Sequence, residues 1–149
     1  MGQAISNLRA LLAAMDPQLH SGIYAFCVVP QDTDITGLSP IAIVREAEGL
    51  TLVLPEEQAI RANWPILFQA KWITLMVHSD LQAVGLTAAF STALGQAGIS
   101  CNVLAGGFHD HLFVPPESAQ QALAILQALQ QQSADETDLE RFRGGYQGG

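Results

Sequence analysis

The chain has 149 residues and a net charge of −8, from six Lys+Arg against fourteen Asp+Glu. Its apolar share of 49% is ordinary, but its charged share of 13% is well below the roughly 25% of typical soluble domains, which excludes a disordered chain. Six basic residues on an acidic protein also exclude nucleic acid as the main partner, and no apolar run approaches the roughly 18 residues that a membrane span needs.

The opening Met1-Gly2-Gln3-Ala4-Ile5-Ser6 lacks the basic and apolar regions of a secretory signal. It meets the loose N-myristoylation pattern, but a single acyl chain anchors only marginally, and Ser6 has a simpler role as a helix N-cap. The expected compartment is the cytoplasm. Ile5, Leu8, Leu12 and Met15 recur at helical spacing, and Asp16-Pro17 ends that helix. Residues 23–29 form a β-branched and aromatic strand closed by Pro30, and residues 31–40 read as a loop. Two short apolar runs at 41–45 and 50–54 enclose Glu46-Ala47-Glu48-Gly49 and predict a hairpin. Pro55-Glu56-Glu57 starts a short helix to about Asn63, with acids in the turn that favours them. A strand follows at 72–77, then a helix at 85–97 with Leu86, Phe90, Leu94 and Ala97 on one face and Gly98 ending it. Strands at 99–104 and 111–114 flank the turn Ala105-Gly106-Gly107, and Pro115-Pro116-Glu117 opens the last helix. From residue 133 the chain is acidic and then Gly-rich, and a loose tail is expected over 133–149.

Two stretches repeat. Leu52-Val53-Leu54-Pro55-Glu56-Glu57-Gln58-Ala59 and Leu112-Phe113-Val114-Pro115-Pro116-Glu117-Ser118-Ala119 share strand, proline, acid and alanine, and the order helix, strand, loop, strand precedes each. The chain therefore reads as two related units, 1–70 with a hairpin insertion and 71–132. Charge is unevenly spread between them. From Trp72 to Ala134 only Asp80, Asp110 and Glu117 are charged. Interface cores are depleted of charge, so this half is expected to face another unit, in a homodimer or within the chain. Cys27 and Cys101 each sit in an apolar run and read as small buried hydrophobes, not a disulfide framework or metal site.

Residues 73–114 carry a recognisable pattern: a strand, a polar turn, Gly85-Leu86 at a helix start, Leu94-Gly95-Gln96-Ala97-Gly98-Ile99 at its end, and another strand. This resembles the ACT domain, a βαββαβ ligand-sensing module of amino-acid metabolism. The segments Glu46-Ala47-Glu48-Gly49-Leu50-Thr51-Leu52-Val53, Val77-His78-Ser79, Ala83-Val84-Gly85-Leu86-Thr87-Ala88-Ala89-Phe90 and His109-Asp110-His111-Leu112-Phe113-Val114-Pro115 look like a bacterial family of small stand-alone tandem ACT proteins without established activity. The turn Ser79-Asp80-Leu81-Gln82-Ala83-Val84-Gly85 departs from the ACT pattern, being longer and lacking its proline. The resemblance implies an α+β protein with two ferredoxin-like units, antiparallel sheets and helices on one face. Two full units imply eight strands where at most seven are read, which leaves open how the strand at 72–77 is shared.

The chemistry-bearing residues allow several readings. A helix N-terminus presents free amide donors to a carboxylate, Gly85 admits close approach to backbone, and Asn102 offers both donor and acceptor to an amino group. Asp80 capping the helix and Asn102 satisfying a strand end are the structural counterparts. With the resemblance, the expected ligand contacts are Ser79, Leu81, Val84, Gly85, Asn102 and Val103. The expected function is then a non-enzymatic regulatory protein that binds a small molecule, an amino acid, with no cofactor. The alternative is a metal carrier or metal-dependent enzyme built on His78, His109, Asp110 and His111, where His109 and His111 share a strand face if the strand already begins there. The same four residues also read as a polar cluster at a loop. A third reading is a bare oligomerisation module. Glu46 and Glu48 beside Arg45 read as a solvated turn, no Ser, Cys or Lys stands in a nucleophile setting, and one Arg143-Gly144-Gly145-Tyr146 copy does not make an RNA-binding repeat.

Overall fold

The computed structural model describes residues 7–144, and the side chains of these except 137, 138, 140–142 and 144. In chain order the elements are α1 (Leu8–Ala13), β1 (Pro17–Leu19), β2 (Tyr24–Val29), β3 (Ala42–Glu46), β4 (Gly49–Pro55), α2 (Glu56–Arg61) and β5 (Phe68–Leu75). There follow α3 (Leu86–Gln96), β6 (Asn102–Ala105), β7 (Asp110–Val114), a 3-10 turn (Pro116–Ser118) and α4 (Ala119–Gly144). Packing groups these into two units, His20–Trp72 and the combination of Met1–Leu19 with Ile73–Gly149. In this packing α1 and β1 group with the later residues. The boundary falls inside β5.

In the unit His20–Trp72, β4 pairs with β3 and with β2, and β2 pairs with the start of β5 (Tyr24↔Ala70, Phe26↔Phe68), all antiparallel. The period-two pattern of the strands buries Ala25, Cys27 and Val29 of β2 with Leu50, Leu52 and Leu54 of β4, under Ala59 of α2. Ile35 and Leu38 pack on this core from the long connection between β2 and β3, so no helix precedes β3. At the β3–β4 hairpin Gly49 has φ +157°, and a Cβ there would lie 2.7 Å from the Val29 carbonyl oxygen, a contact only glycine avoids.

In the other unit, β1 pairs antiparallel with the end of β5 (Pro17↔Leu75, Leu19↔Ile73), β7 neighbours β5, and β6 pairs antiparallel with β7. Ile73 and Leu75 of β5 alternate inward with Leu112 and Val114 of β7. Against them pack Leu11 of α1, Phe90 and Leu94 of α3, and Ala122 and Leu126 of α4. Leu11 and Met15 are fully buried here, which is why the first helix belongs to this unit. Asn7 caps α1, its Oδ1 accepting from the Ala10 N–H; Ser6, the expected cap, lies outside the described residues. The expected strand at 72–77 is really Phe68–Leu75, and the three-residue β1 escaped the sequence pattern because it holds a proline and is too short to alternate.

The last helix also runs further than expected. Residues 133–144 are helical and not the loose tail read from composition, because nothing before Gly144 breaks a helix. Ser133 Oγ donates to the Leu129 carbonyl inside it, and Gln131 pairs with Asp135 one turn on. Residues 145–149, the end of that tail, lie outside the described residues, as does the Gly145-Tyr146 half of the Arg143-Gly144-Gly145-Tyr146 motif.

Both thiols are free and pushed up by burial, Cys101 to about 11, so they remain protonated at neutral pH. Among the described residues no helix is long and apolar enough to cross a membrane. Phe90 is fully buried at the centre of the larger core. Phe90→Ala is expected to cost roughly 3–5 kcal/mol, measured as a fall in the urea unfolding midpoint with unchanged slope.

Candidate functional site

The loop from β5 into α3 is built on local hydrogen bonds. The Asp80 carboxylate accepts from the Gln82 N–H at 2.9 Å and the Asp80 carbonyl accepts from the Ala83 N–H, so Asp80 closes its own turn and does not cap the helix. The residue at the N-cap is Gly85, at φ +102°, with no side chain to accept from the first turn. A Cβ there would come within 3.1 Å of Leu8 Cδ2. The glycine is therefore required by its left-handed backbone and by the close approach of α1. The Ser79 N–H donates to the Phe108 carbonyl, which holds this loop to the turn between β6 and β7.

Between these two loops lies a cleft of about 390 Å³, part of it open to solvent. Ser79, Asp80, Leu81 and Ala83 line it from the first loop, Leu86 and Thr87 from the start of α3, and Ala105, Gly106, His109 and Asp110 from the β6–β7 end. Asp110, paired with Ala105 across the hairpin, is only 8% exposed. Burial pushes its carboxyl up from the ordinary value, with the charges of His111 and His109 opposing.

Of the residues singled out in the sequence, Ser79, Leu81, His109 and Asp110 meet at this cleft. The others do not line it. Val84 is 83% exposed just before the helix. Asn102 is exposed at the far end of β6, opposite Phe113, and Val103 packs on the hydrophobic core. Strand alternation explains the split: Val103 and Ala105 share a face, and only Ala105 stands at the turn. Thr87, Ala105 and Gly106 were not singled out by their sequence context, because a small residue in a turn signals geometry before it signals a ligand.

The metal reading of His78, His109, Asp110 and His111 is corrected by their positions. Among the described residues no three His, Cys, Asp or Glu side chains come together in a way that could hold a metal ion. β7 begins at Asp110, so His109 is not on the strand and the same-face argument fails. His109 Nδ1 lies 3.4 Å from the Val77 carbonyl, His111 Nδ1 lies 3.0 Å from Thr74 Oγ1, and the two rings stand nearly perpendicular with centroids 6.5 Å apart. The His78 ring packs against Phe108. Phe108 lies between the His78 and His109 rings, and His109 meets His111 edge to face.

With this architecture in view, comparison with known proteins is informative. One ACT-domain family model matches residues 3–71 and a second matches residues 67–128. This chain is a tandem ACT-domain protein. A crystal structure of a Vibrio cholerae protein of unknown function, described as a possible transport protein, is 51% identical, with a TM-score of 0.76 over 83% of this chain and 95% of that one. An Agrobacterium tumefaciens protein shares the fold at 16% identity and TM-score 0.59, over 76% of this chain and 87% of that one. The regulatory subunit of aspartate kinase from Thermus thermophilus does so at 10% identity and TM-score 0.58, over 78% and 97%. No curated protein matches. The tandem ACT assignment agrees with the resemblance carried by residues 46–53 and 83–90.

The environment of His111 in this ACT protein gives a pH prediction. Burial is the first cause that lowers its pKa and His109 the second, against the opposing charge of Asp110. In the unfolded chain the imidazole titrates near its ordinary value of about 6.5. Between that value and the lower folded one, the unfolded chain holds more protons, so stability rises with pH there and levels off above. Chemical denaturation across pH 5–7.5 is expected to show this slope, and His111→Gln to flatten it.

Proposed function

We propose that this tandem ACT protein is a non-enzymatic regulatory protein that binds a small molecule, an amino acid, in the cleft at the start of α3. The observation that carries the reading is the helix start itself. Leu86 and Thr87 line the cleft on the first turn of an eleven-residue helix that has no capping side chain. The first amides of such a helix lack intrahelical acceptors and attract a carboxylate. Support also comes from the family, whose modules bind small ligands, and from the aspartate kinase regulatory subunits that share its fold. The limited volume favours a small side chain, with Ser79 and Leu81 of the expected contacts at the wall. Binding would act by favouring one arrangement of units or of two copies over another. The expected setting is a cytoplasmic homodimer.

A thermal-shift panel of the twenty amino acids tests this. A ligand at a hundred times its Kd adds about 2.7 kcal/mol of stability, a shift of several degrees for a chain of this size. Ala105 is exposed on the cleft wall, so Ala105→Phe is expected to abolish the shift and leave the unliganded melting temperature within a degree or two. If no amino acid at millimolar concentration shifts the wild type while the protein stays dimeric on dilution, the protein is an oligomerisation module and the ligand reading falls.

A further inference from the structure

From Trp72 to Ala134 the chain carries three charged side chains, and two of them, Asp80 and Asp110, line one cleft. The third, Glu117, is exposed in the 3-10 turn. Charge is therefore scarce in this half of the protein and concentrated where a ligand would sit. No Lys or Arg lines the cleft, and the one basic side chain on its wall is His109.

The two carboxylates are in different states. Asp80 is spent on its turn, accepting from the Gln82 N–H. Asp110 is held at the start of β7 by its pairing with Ala105 and is 92% buried, being 8% exposed. Among the described residues none donates a hydrogen bond to its side chain. Of its two histidine neighbours, His109 has Nδ1 beside the Val77 carbonyl and His111 has Nδ1 beside Thr74. Among the described residues no side-chain oxygen is both sealed from solvent and unpartnered, so the Asp110 carboxylate meets water at the cleft wall, and a carboxylate on a residue so little exposed keeps only part of its hydration. A fold that keeps one at the wall of an open cleft leaves its acceptor oxygens for something that enters.

We infer that Asp110 is the anchor for a protonated amine in this cleft, so that the ligand carries an ammonium group. An ammonium brings the counter-charge and up to three N–H donors, which a neutral ligand or an anion does not. The inference rests on the cleft being a ligand site, but it is independent of whether the ligand is an amino acid. If it is one, its two charged ends have separate seats: the carboxylate at the amides of Leu86 and Thr87, the ammonium at Asp110. The amino-group contact then lies on β7 and not at Asn102, the position expected from sequence.

The test uses the full-length wild type and Asp110→Asn, with three probes at tens of millimolar and matched ionic strength: ethylamine, propionate and the twenty free amino acids. The readouts are the carboxyl ¹³C resonance of Asp110 in aspartate-labelled protein and the thermal midpoint. Ethylamine is expected to move the Asp110 resonance and lower its titration midpoint, where sodium chloride does neither. Any amino acid that binds is expected to bind Asp110→Asn at least about tenfold more weakly, ~1.4 kcal/mol. Ethylamine without effect on that resonance, or an amino acid bound equally by both proteins, overturns the anchor; the second result leaves the amino-acid reading standing. Ethylamine bound through Asp110 with no amino acid bound keeps the anchor and removes the amino-acid reading. Should Asp110→Asn fail to fold, the wild-type resonance decides alone.

Discussion

The backbone of β5 has to satisfy its ladder hydrogen bonds along eight residues, and neither packed unit does so by itself. Phe68 to Ala70 pair with β2, inside the unit His20–Trp72, and Ile73 to Leu75 pair with β1, inside the other. Buried N–H and C=O groups must be paired almost without exception. β2 pairs antiparallel with the first half of β5 and β1 antiparallel with its second half. Seven strands are present among the described residues, and the division between the units falls within the stretch that holds β5. The pairing of β1 explains why the first helix belongs by packing with the end of the chain, since α1 leads directly into β1.

The units do not repeat each other's chemistry. One carries the eleven-residue helix α3 between the end of β5 and the β6–β7 hairpin, and this helix opens on the cleft. In the other, residues 30–41 occupy the same topological position without a helix, burying Ile35 and Leu38. At the hairpin that follows, Arg45 donates to Gln31 Oε1, the Gln31 amide donates to the Glu46 carbonyl, and Thr51 donates to the Glu46 carboxylate. Polar groups there satisfy one another. At the cleft of the other unit, Asp110 has no such donor among the described residues. Stability and binding pull apart at such positions, which is why perturbed acids collect at functional sites.

Much of this was legible before any coordinates. Of the expected helical face, Leu86, Phe90 and Leu94 are buried as their spacing requires and Ala97, at the C-cap, is exposed, while the β-branched and aromatic run at 23–29 is the strand β2. The charge shortage over residues 72–134 led to the expectation of a face toward another unit; the same stretch lines the cleft. What escaped were features without a periodic signature. β1 has three residues, and the first half of β5 reads Phe68-Gln69-Ala70-Lys71, with neither alternation nor β-branching to mark it. The helical continuation past residue 133 was hidden by an acidic composition that resembles a tail. Of the expected contacts, Ser79 and Leu81 line the cleft and Val84, Gly85, Asn102 and Val103 do not, while Ala105 and Gly106 reach it from a turn with no signal for a ligand in its sequence.

The histidines show the same limit from the other side. Three imidazoles and an acid within one short sequence suggest a shared centre, yet one imidazole lies beside Thr74, one beside the Val77 carbonyl, and one packs on Phe108. Periodicity, turn chemistry and composition are properties of neighbours along the chain, so the sequence by itself determined the elements with a periodic signature, much of their inward faces, the tandem ACT family and the scarcity of charge. Which strand β5 pairs with at each end, and which carboxylate is left without a donor at the wall of a cleft, depend on groups far apart in sequence. Desolvation and hydrogen-bond satisfaction act only once those groups are brought together, and only the tertiary structure decided them.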